Sequence, residues 1–186
     1  AHNDSLNIEL IINNEHILTD SGVFDYESGQ PLRWRPYFRS SKAHNVITIN
    51  NKEPNEIWGN FRVAKRGYTT IENYSKHTIQ ASHNSYKSIG VYVKRKLDTK
   101  KNDILRIQDT IEIKNNNQIT FESNFHFHPN IKFKSKQKFQ DHHKIIFETR
   151  NQNIELIYHE INDTILIEES YYSPKFMKKD NRIKLK

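Results

Sequence analysis

Apolar and polar residues alternate through most of this 186-residue sequence, in short runs that Asn-, Asp- and Lys-rich stretches interrupt. Alternation with a period of two is typical of β-strands that bury one face. The interruptions recur about every 8–12 residues, which is the spacing of turns in antiparallel β-sandwiches. No segment shows the period of an amphipathic helix. The sequence therefore predicts an all-β fold, an antiparallel multi-stranded β-sandwich, in a single domain over residues 1–186.

The alternation predicts strands at 5–12, 16–19, 46–49, 68–74, 78–82, 91–97, 104–113, 119–128, 131–139, 144–148, 154–160 and 164–171. Residues 21–43 form the one long stretch without alternation, and they contain Gly22, Gly29, Pro31 and Pro36. Loops of this length in a compact domain are often functional. We therefore expect residues 21–43 to contribute to a site.

Composition excludes several classes of protein. The chain has no Cys, which rules out disulfides, thiolate metal sites and a Cys nucleophile. It has no apolar run of about 18 residues that could span a membrane, and its start shows no signal-peptide pattern. The net charge of +7 favours an anionic partner. Charge alone does not choose between nucleic acid, anionic polysaccharide and a membrane surface.

Two predicted strands carry unusual side chains. In 131–139, alternation places Ile131, Phe133 and Phe139 on one face and four lysines on the other: Lys132, Lys134, Lys136 and Lys138. Such a face is either a solvated one that protects a sheet edge or an anion-binding stripe. In 119–128, His126 and His128 share a face, where they either bind a metal ion or are ordinary surface histidines. The neighbouring pair His142-His143 would point to opposite faces.

The N-terminal strand presents a conflict. If the chain is extended from its first residue, His2 and Asp4 lie on the same face as Leu6, Ile8 and Leu10. Polar groups on an apolar face cost several kcal/mol unless they are paired or bind a metal ion. The simpler interpretation is a frayed terminus.

Seven short segments, in this order, resemble the C-terminal part of heparinase II/III-like polysaccharide lyases. The most specific are Ala-His-Asn-Asp-Ser-Leu at 1–6, Leu-Thr-Asp-Ser-Gly-Val-Phe-Asp-Tyr at 18–26 and Tyr-Phe-Arg-Ser-Ser-Lys-Ala-His-Asn-Val-Ile at 37–47. The others are 82–86, 93–95, 107–109 and 125–129. The resemblance covers about residues 1–130, and the final third has no matching motif.

The resemblance implies a fold, a partner domain and a cofactor. The family carries an N-terminal (α/α) toroid followed by a supersandwich-like β-sandwich, and this chain resembles the sandwich without the toroid. The family's first motif reads His-x-His-x-Asp. Its second His corresponds to His2, while the first would precede Ala1. By the same correspondence the zinc ligands would be His2, Asp20 and His44.

The matched segments also suggest supporting residues. Asp4, Arg39 and Asn45 would orient the metal ligands or fix their loops, although a packing role fits them equally. Tyr26 and Tyr37 would either face a substrate cleft or pack the long loop onto the sandwich. The resemblance assigns no catalytic acid or base to this chain, because in the family most catalytic residues come from the toroid.

Family membership would imply cleavage of uronic-acid polysaccharides by β-elimination, in a periplasmic or secreted bacterial protein. The zinc ion would shape the substrate cleft, and the isolated chain would have little or no activity. The alternative is a non-catalytic carbohydrate-binding or assembly module. Nucleic-acid binding through the Lys132–Lys138 stripe is not favoured, since no exposed aromatic residues interleave with the lysines.

Overall fold

The structure is a computed structural model that describes residues 2–26, 34–101, 103–159 and 164–186. Its described strands are β1 (Leu10–Ile12), β2 (Glu15–Leu18), β3 (Ile47–Ile49), β4 (Glu56–Trp58), β5 (Arg62–Ala64), β6 (Thr69–Tyr74), β7 (Thr78–His83), β8 (Val91–Asp98), β9 (Arg106–Ile113), β10 (Phe121–Ser123), β11 (Phe125–His126), β12 (Lys132–Lys138), β13 (His143–Glu148), β14 (Asn153–Tyr158), β15 (Ile167–Lys175) and β16 (Lys178–Leu185). The described part has one α-helix, α1 (Trp34–Arg39), and single turns of 3₁₀ helix at Ser41–Ala43 and Lys87–Ile89. None of these helices is long or apolar enough to cross a membrane.

The strands form antiparallel sheets, which confirms the predicted all-β sandwich. The largest has the order β6-β7-β8-β9, and two three-stranded sheets have the orders β12-β13-β14 and β11-β16-β15. Strand pairs β1-β2, β3-β10 and β4-β5 complete the described sheets. Neighbours in the four-stranded sheet follow chain order, as short turns between antiparallel strands require.

Apolar side chains bury themselves in two clusters. The first joins β2, β13, β14 and the end of β16, and Phe127 stacks on Phe147 in it with ring centroids 4.0 Å apart. The second joins β3 to β8, and its buried members are Ile47, Ile49, Tyr86, Val91 and Val93. The segments that carry the candidate site connect strands of both clusters.

The prediction for the N-terminal strand is wrong in its bounds. The strand begins at Leu10, while Leu6 adopts a left-handed backbone with φ 64°. The backbone N–H of Asn7 donates to the carbonyl oxygen of Asp4, so residues 4–7 form a turn. A turn breaks the alternation, so His2 and Asp4 do not continue the face of Leu10.

The predicted lysine stripe is also wrong, because β12 contains a β-bulge between Phe133 and Ser135. The bulge adds one residue and so exchanges the faces of the strand beyond it. Lys132 lies opposite Glu148, but Lys136 and Lys138 lie opposite the buried residues Ile145 and His143. The four lysines therefore do not share one face.

Some elements do not follow the alternation. The short helix α1 lies inside the stretch predicted to be irregular, and β4, β5 and β16 lie outside every predicted strand. The predicted strand 164–171 is displaced to Ile167–Lys175. Ala1, Gly29, Pro31 and residue 160 lie outside the described residues, so their predictions are not tested.

Candidate metal centre

Asp20 and His44 form the centre of the candidate site. Nδ1 of His44 lies 2.7 Å from Oδ2 of Asp20, and the His44 side chain is fully buried. Oδ2 also accepts from Nδ2 of Asn7 at 3.0 Å, and Oδ1 accepts from the backbone N–H of Gly22 at 2.9 Å. Burial raises the pKa of Asp20, but the hydrogen bonds from His44 and Gly22 outweigh it and hold this pKa below its ordinary value.

Both ring nitrogens of His44 face oxygen acceptors. Nε2 lies 3.1 Å from the carbonyl oxygen of Phe38, on the opposite side from Asp20. A neutral imidazole has only one N–H, so it cannot donate to both oxygens. If Nε2 donates to Phe38, the lone pair of Nδ1 points at the Asp20 carboxylate. A cation shared by Nδ1 and the carboxylate would satisfy both, and a backbone carbonyl at the other nitrogen is the usual partner of a metal-binding histidine.

His2 lies next to this pair. Its ring centroid is 5.3 Å from that of His44. Burial, and then the electrostatic effects of the neighbouring His44 and Arg35, lower the pKa of His2 to about 4. The imidazole is therefore neutral at ordinary pH, which is the form that binds metal ions.

The structure thus brings the three predicted ligands to one place. Within the described residues, no three His, Asp or Glu side chains stand as a complete metal shell, so His2 would have to turn towards the pair. Two imidazoles and one carboxylate with an open fourth position are a donor set that suits zinc. The three donor types therefore suit zinc, while their arrangement among the described residues is not yet that of a metal-binding group.

Asn45 ties the segments of the site together. Its backbone N–H donates to Oδ1 of Asn7, and its Nδ2 donates to the carbonyl oxygen of Ile8. Its Oδ1 accepts from the backbone N–H of His126 in β11. Asn45 is fully buried, and its bonds hold the residue after His44 against the N-terminal segment and β11.

Arg39 and Asp4 lie in different environments. Arg39 is buried, and its guanidinium donates to the carbonyl oxygens of Gly59 and Arg62. It therefore anchors the β4–β5 hairpin rather than touching the Asp20–His44 pair. The side chain of Asp4 is exposed.

The sequence carried no signal for its neighbour Asn3, which is fully buried and donates through Nδ2 to Oε2 of Glu53 at 2.7 Å.

The two tyrosines of the long loop differ in burial and in their contacts. Tyr37 packs edge-on against Tyr171 with centroids 5.6 Å apart, and its hydroxyl oxygen accepts from the backbone N–H of Tyr171. Tyr26 is 52% exposed. Its ring stacks beside Phe61 at 6.2 Å and Phe176 at 5.8 Å. Tyr26 is therefore the more exposed of the two, although the guanidinium of Arg35 also lies 5.4 Å from its ring.

Comparisons with known proteins decide the family. The family model described as "Heparinase II/III-like, C-terminal" matches residues 1–185. The chain belongs to this heparinase II/III-like family. None of the curated proteins searched matches it.

Solved structures share the fold of this heparinase II/III-like domain. A heparinase III (the BT4657 gene product) is 16% identical with a TM-score of 0.73 over 99% of the chain. The heparan sulfate lyase HepC from Pedobacter heparinus is 17% identical with a TM-score of 0.68 over 100% of the chain. The chain spans 27% and 28% of the lengths of these two proteins.

His126, His128 and His142 of this heparinase II/III-like domain have contacts of their own, whereas Nδ1 of His143 is buried without a hydrogen-bond partner among the described residues. His126 is fully buried, with Nδ1 3.0 Å from Oγ of Ser170. The ring of His128 lies 5.9 Å from that of His16. His142 pairs with the exposed carboxylate of Asp141, at 2.8 Å. Sequence alternation grouped His126 with His128, but the chain places them in separate contacts.

A cavity of about 650 Å³ opens beside the segments of the candidate site. Asn3 and Arg39 form part of its wall, together with Lys52, Glu53 and Tyr86. None of the three predicted ligands lines it, although Asn3 directly follows His2. The cavity therefore adjoins the candidate metal centre but is not part of it.

Proposed function

We propose that this chain is the zinc-bearing C-terminal β-sandwich of a polysaccharide lyase that cleaves uronic-acid-containing polysaccharide by β-elimination. The family match over residues 1–185 supports the lyase assignment. The observation that carries the metal site is His44, whose two ring nitrogens both face oxygen acceptors while Nδ1 contacts the Asp20 carboxylate.

β-Elimination requires a base, an acid and groups that stabilise negative charge. A base removes the proton next to the uronate carboxylate, and an acid protonates the leaving glycosidic oxygen. Positive or hydrogen-bonding groups stabilise the enolate-like charge that develops between these steps. This chain is not assigned the acid or the base, which we expect from an N-terminal (α/α) toroid.

In this proposal the chain builds one wall of the substrate cleft. His2, Asp20 and His44 would hold the zinc ion, which would supply fixed positive charge to that wall. The carbonyl oxygen of Phe38, 3.1 Å from Nε2, would hold the proton of His44 on Nε2 and leave Nδ1 to bind the ion. Tyr26, with its exposed ring, would lie against the sugar chain.

The substrate class agrees with the overall charge. A net charge of +7 attracts an acidic polymer, through a field that salt would screen. We place the protein in the periplasm or outside the cell, where such polymers occur.

The test is a lyase assay on the natural protein that contains this chain. Each elimination creates an unsaturated uronate, which ultraviolet absorbance detects. We expect Asp20→Asn to lower the rate strongly, because the carboxylate that pairs with His44 is lost. Asp141→Asn is the matched control, since it alters an exposed Asp–His pair of similar length, 2.8 Å. It should leave the rate unchanged.

Two results would contradict the proposal. Equal rates for Asp20→Asn and the unmodified protein would remove the metal centre from the function. Binding of acidic polysaccharide without any unsaturated product would favour the alternative, a non-catalytic carbohydrate-binding module.

A further inference from the structure

Arg182 lies in β16, in the part of the chain where no sequence motif points to a site. Its side chain is only 4% exposed. Nη1 donates to the carbonyl oxygen and to Oγ1 of Thr19, both at 3.0 Å, and to the carbonyl oxygen of Asp20 at 3.3 Å. Nη2 donates to the carbonyl oxygen of Ala43 at 3.2 Å. One guanidinium therefore joins the backbone at Asp20 to the residue before His44.

We propose that Arg182 is a positioning residue that sets the spacing between Asp20 and His44, and so pre-forms the metal centre. The proposal rests on the proposed function for the ion itself. Asp20 and His44 are 24 positions apart in the sequence, and they approach from different loops. A planar group with fixed donors holds two such backbones at a set distance.

The environment of Arg182 argues against a role in general packing alone. Its guanidinium forms no ion pair with any carboxylate of the described residues within 4 Å, while the ring of Tyr172 lies 5.7 Å away. A buried cation without a carboxylate partner is costly. Its Nη1 and Nη2 donate instead to Thr19, Asp20 and Ala43, beside the two ligands, while Nε has no hydrogen-bond partner among the described residues. Hydrogen bonds to ligand-bearing segments improve metal affinity.

A lysine could not replace it. An ammonium group is a compact point charge, whereas Nη1 and Nη2 of Arg182 diverge to reach two separate segments. Arg182→Lys therefore keeps the charge but loses the bridge. Arg182→Met keeps most of the volume and removes every donor.

The first readout is zinc affinity, measured by competition with a chromogenic chelator. We expect both variants to raise the dissociation constant for zinc by about 10- to 100-fold. The control is Val91→Ala, which creates a cavity in the second apolar cluster and lowers thermal stability without touching Thr19, Asp20 or Ala43. It should leave the zinc affinity unchanged.

Thr19→Val removes only the Oγ1 acceptor of Arg182. It should weaken zinc binding, but by less than the Arg182 variants do. If the Arg182 variants do not fold, the zinc affinity of Thr19→Val is the deciding measurement. Folded variants that bind zinc as tightly as the unmodified chain would overturn the proposal.

The second readout needs no metal. Nuclear magnetic resonance of the ring nitrogens of His44 reports its contact with Asp20 in the metal-free chain. We expect the Nδ1 resonance to shift in Arg182→Lys and not in Val91→Ala. If the unmodified chain binds no zinc, the metal centre of the proposed function fails, and this resonance alone decides the role of Arg182: an unchanged shift overturns it.

Discussion

Arg95 and Asp109 face each other on neighbouring strands β8 and β9 and form two hydrogen bonds of 2.7 Å, from Nε to Oδ1 and from Nη2 to Oδ2. The remaining nitrogen, Nη1, donates to the carbonyl oxygens of Leu6 and Asn45. Because Asn45 follows His44, this ion pair fastens the N-terminal segment and the His44 loop to the four-stranded sheet.

Asp109→Asn should destabilise the chain by about 3 kcal/mol, because it leaves the buried guanidinium of Arg95 without its charged partner. Urea unfolding followed by circular dichroism measures the loss. Glu72→Gln in the same sheet is the control, since its pair with Lys94 is longer, at 3.5 Å, and accessible to solvent. Equal losses for the two variants would show that the Arg95–Asp109 pair contributes no more than a surface contact.

Gly22 should not tolerate a side chain. Its φ of +77° disfavours other residues, and an added Cβ would overlap the carbonyl oxygen of Ser173. Gly59 has a similar φ of +61° but open space around it. We expect Gly59→Ala to cost about 1 kcal/mol of unfolding free energy, and Gly22→Ala about 1–3 kcal/mol more.

Gly22 also contacts the candidate metal centre, since its backbone N–H donates to Oδ1 of Asp20. Gly22→Ala should therefore weaken zinc binding as well, while Gly59→Ala should not. Thermal unfolding and zinc titration on the same samples separate the two effects. If Gly22→Ala is no more harmful than Gly59→Ala, the close approach to Ser173 has no energetic role.

His83 should make stability depend on pH. Burial, and then the charge of Arg95, lower the pKa of His83 to about 4. Its Nδ1 accepts from the backbone N–H of Ser85 at 3.3 Å, which fits a neutral ring. The unfolded chain binds this proton more tightly, so the contribution of His83 is complete above about pH 6.5 and is lost as the pH falls through about 4.

His83→Asn removes the titration but keeps an acceptor for Ser85. Between about pH 7 and about pH 4.5, the free energy of unfolding in urea should fall further for the unmodified chain than for the variant. The difference should be up to a few kcal/mol. Parallel pH profiles for the two proteins would mean that His83 titrates normally in the folded state.

The fold was largely predictable because period-two alternation reflects local burial. The predicted strand 91–97 corresponds to β8, Val91–Asp98, whose buried positions alternate. Alternation failed where a single residue changes the backbone. A left-handed Leu6 delays the start of the N-terminal strand, and the bulge in β12 places Lys136 opposite the buried Ile145. Polar β16, with three lysines and one arginine, gave no apolar signal.

The site was predictable only in part. The motif resemblance supplied His2, Asp20 and His44; the structure pairs Asp20 with His44 and places the His2 ring 5.3 Å from that of His44. It could not supply Arg182, because the bonds of Arg182 to Thr19 and Ala43 span 163 and 139 positions of sequence. Spacing in the chain carries no information about such contacts, and a lone arginine in a strand has no local signature.

The most direct test of the account is the zinc content of the purified chain after exposure to zinc, measured by elemental analysis. We predict roughly one ion per chain, as a site of two imidazoles and one carboxylate would hold. Asp141→Asn should keep this ion, and Asp20→Asn should lose it. No zinc in the unmodified chain, or equal zinc in Asp20→Asn, would contradict a metal centre at His2, Asp20 and His44.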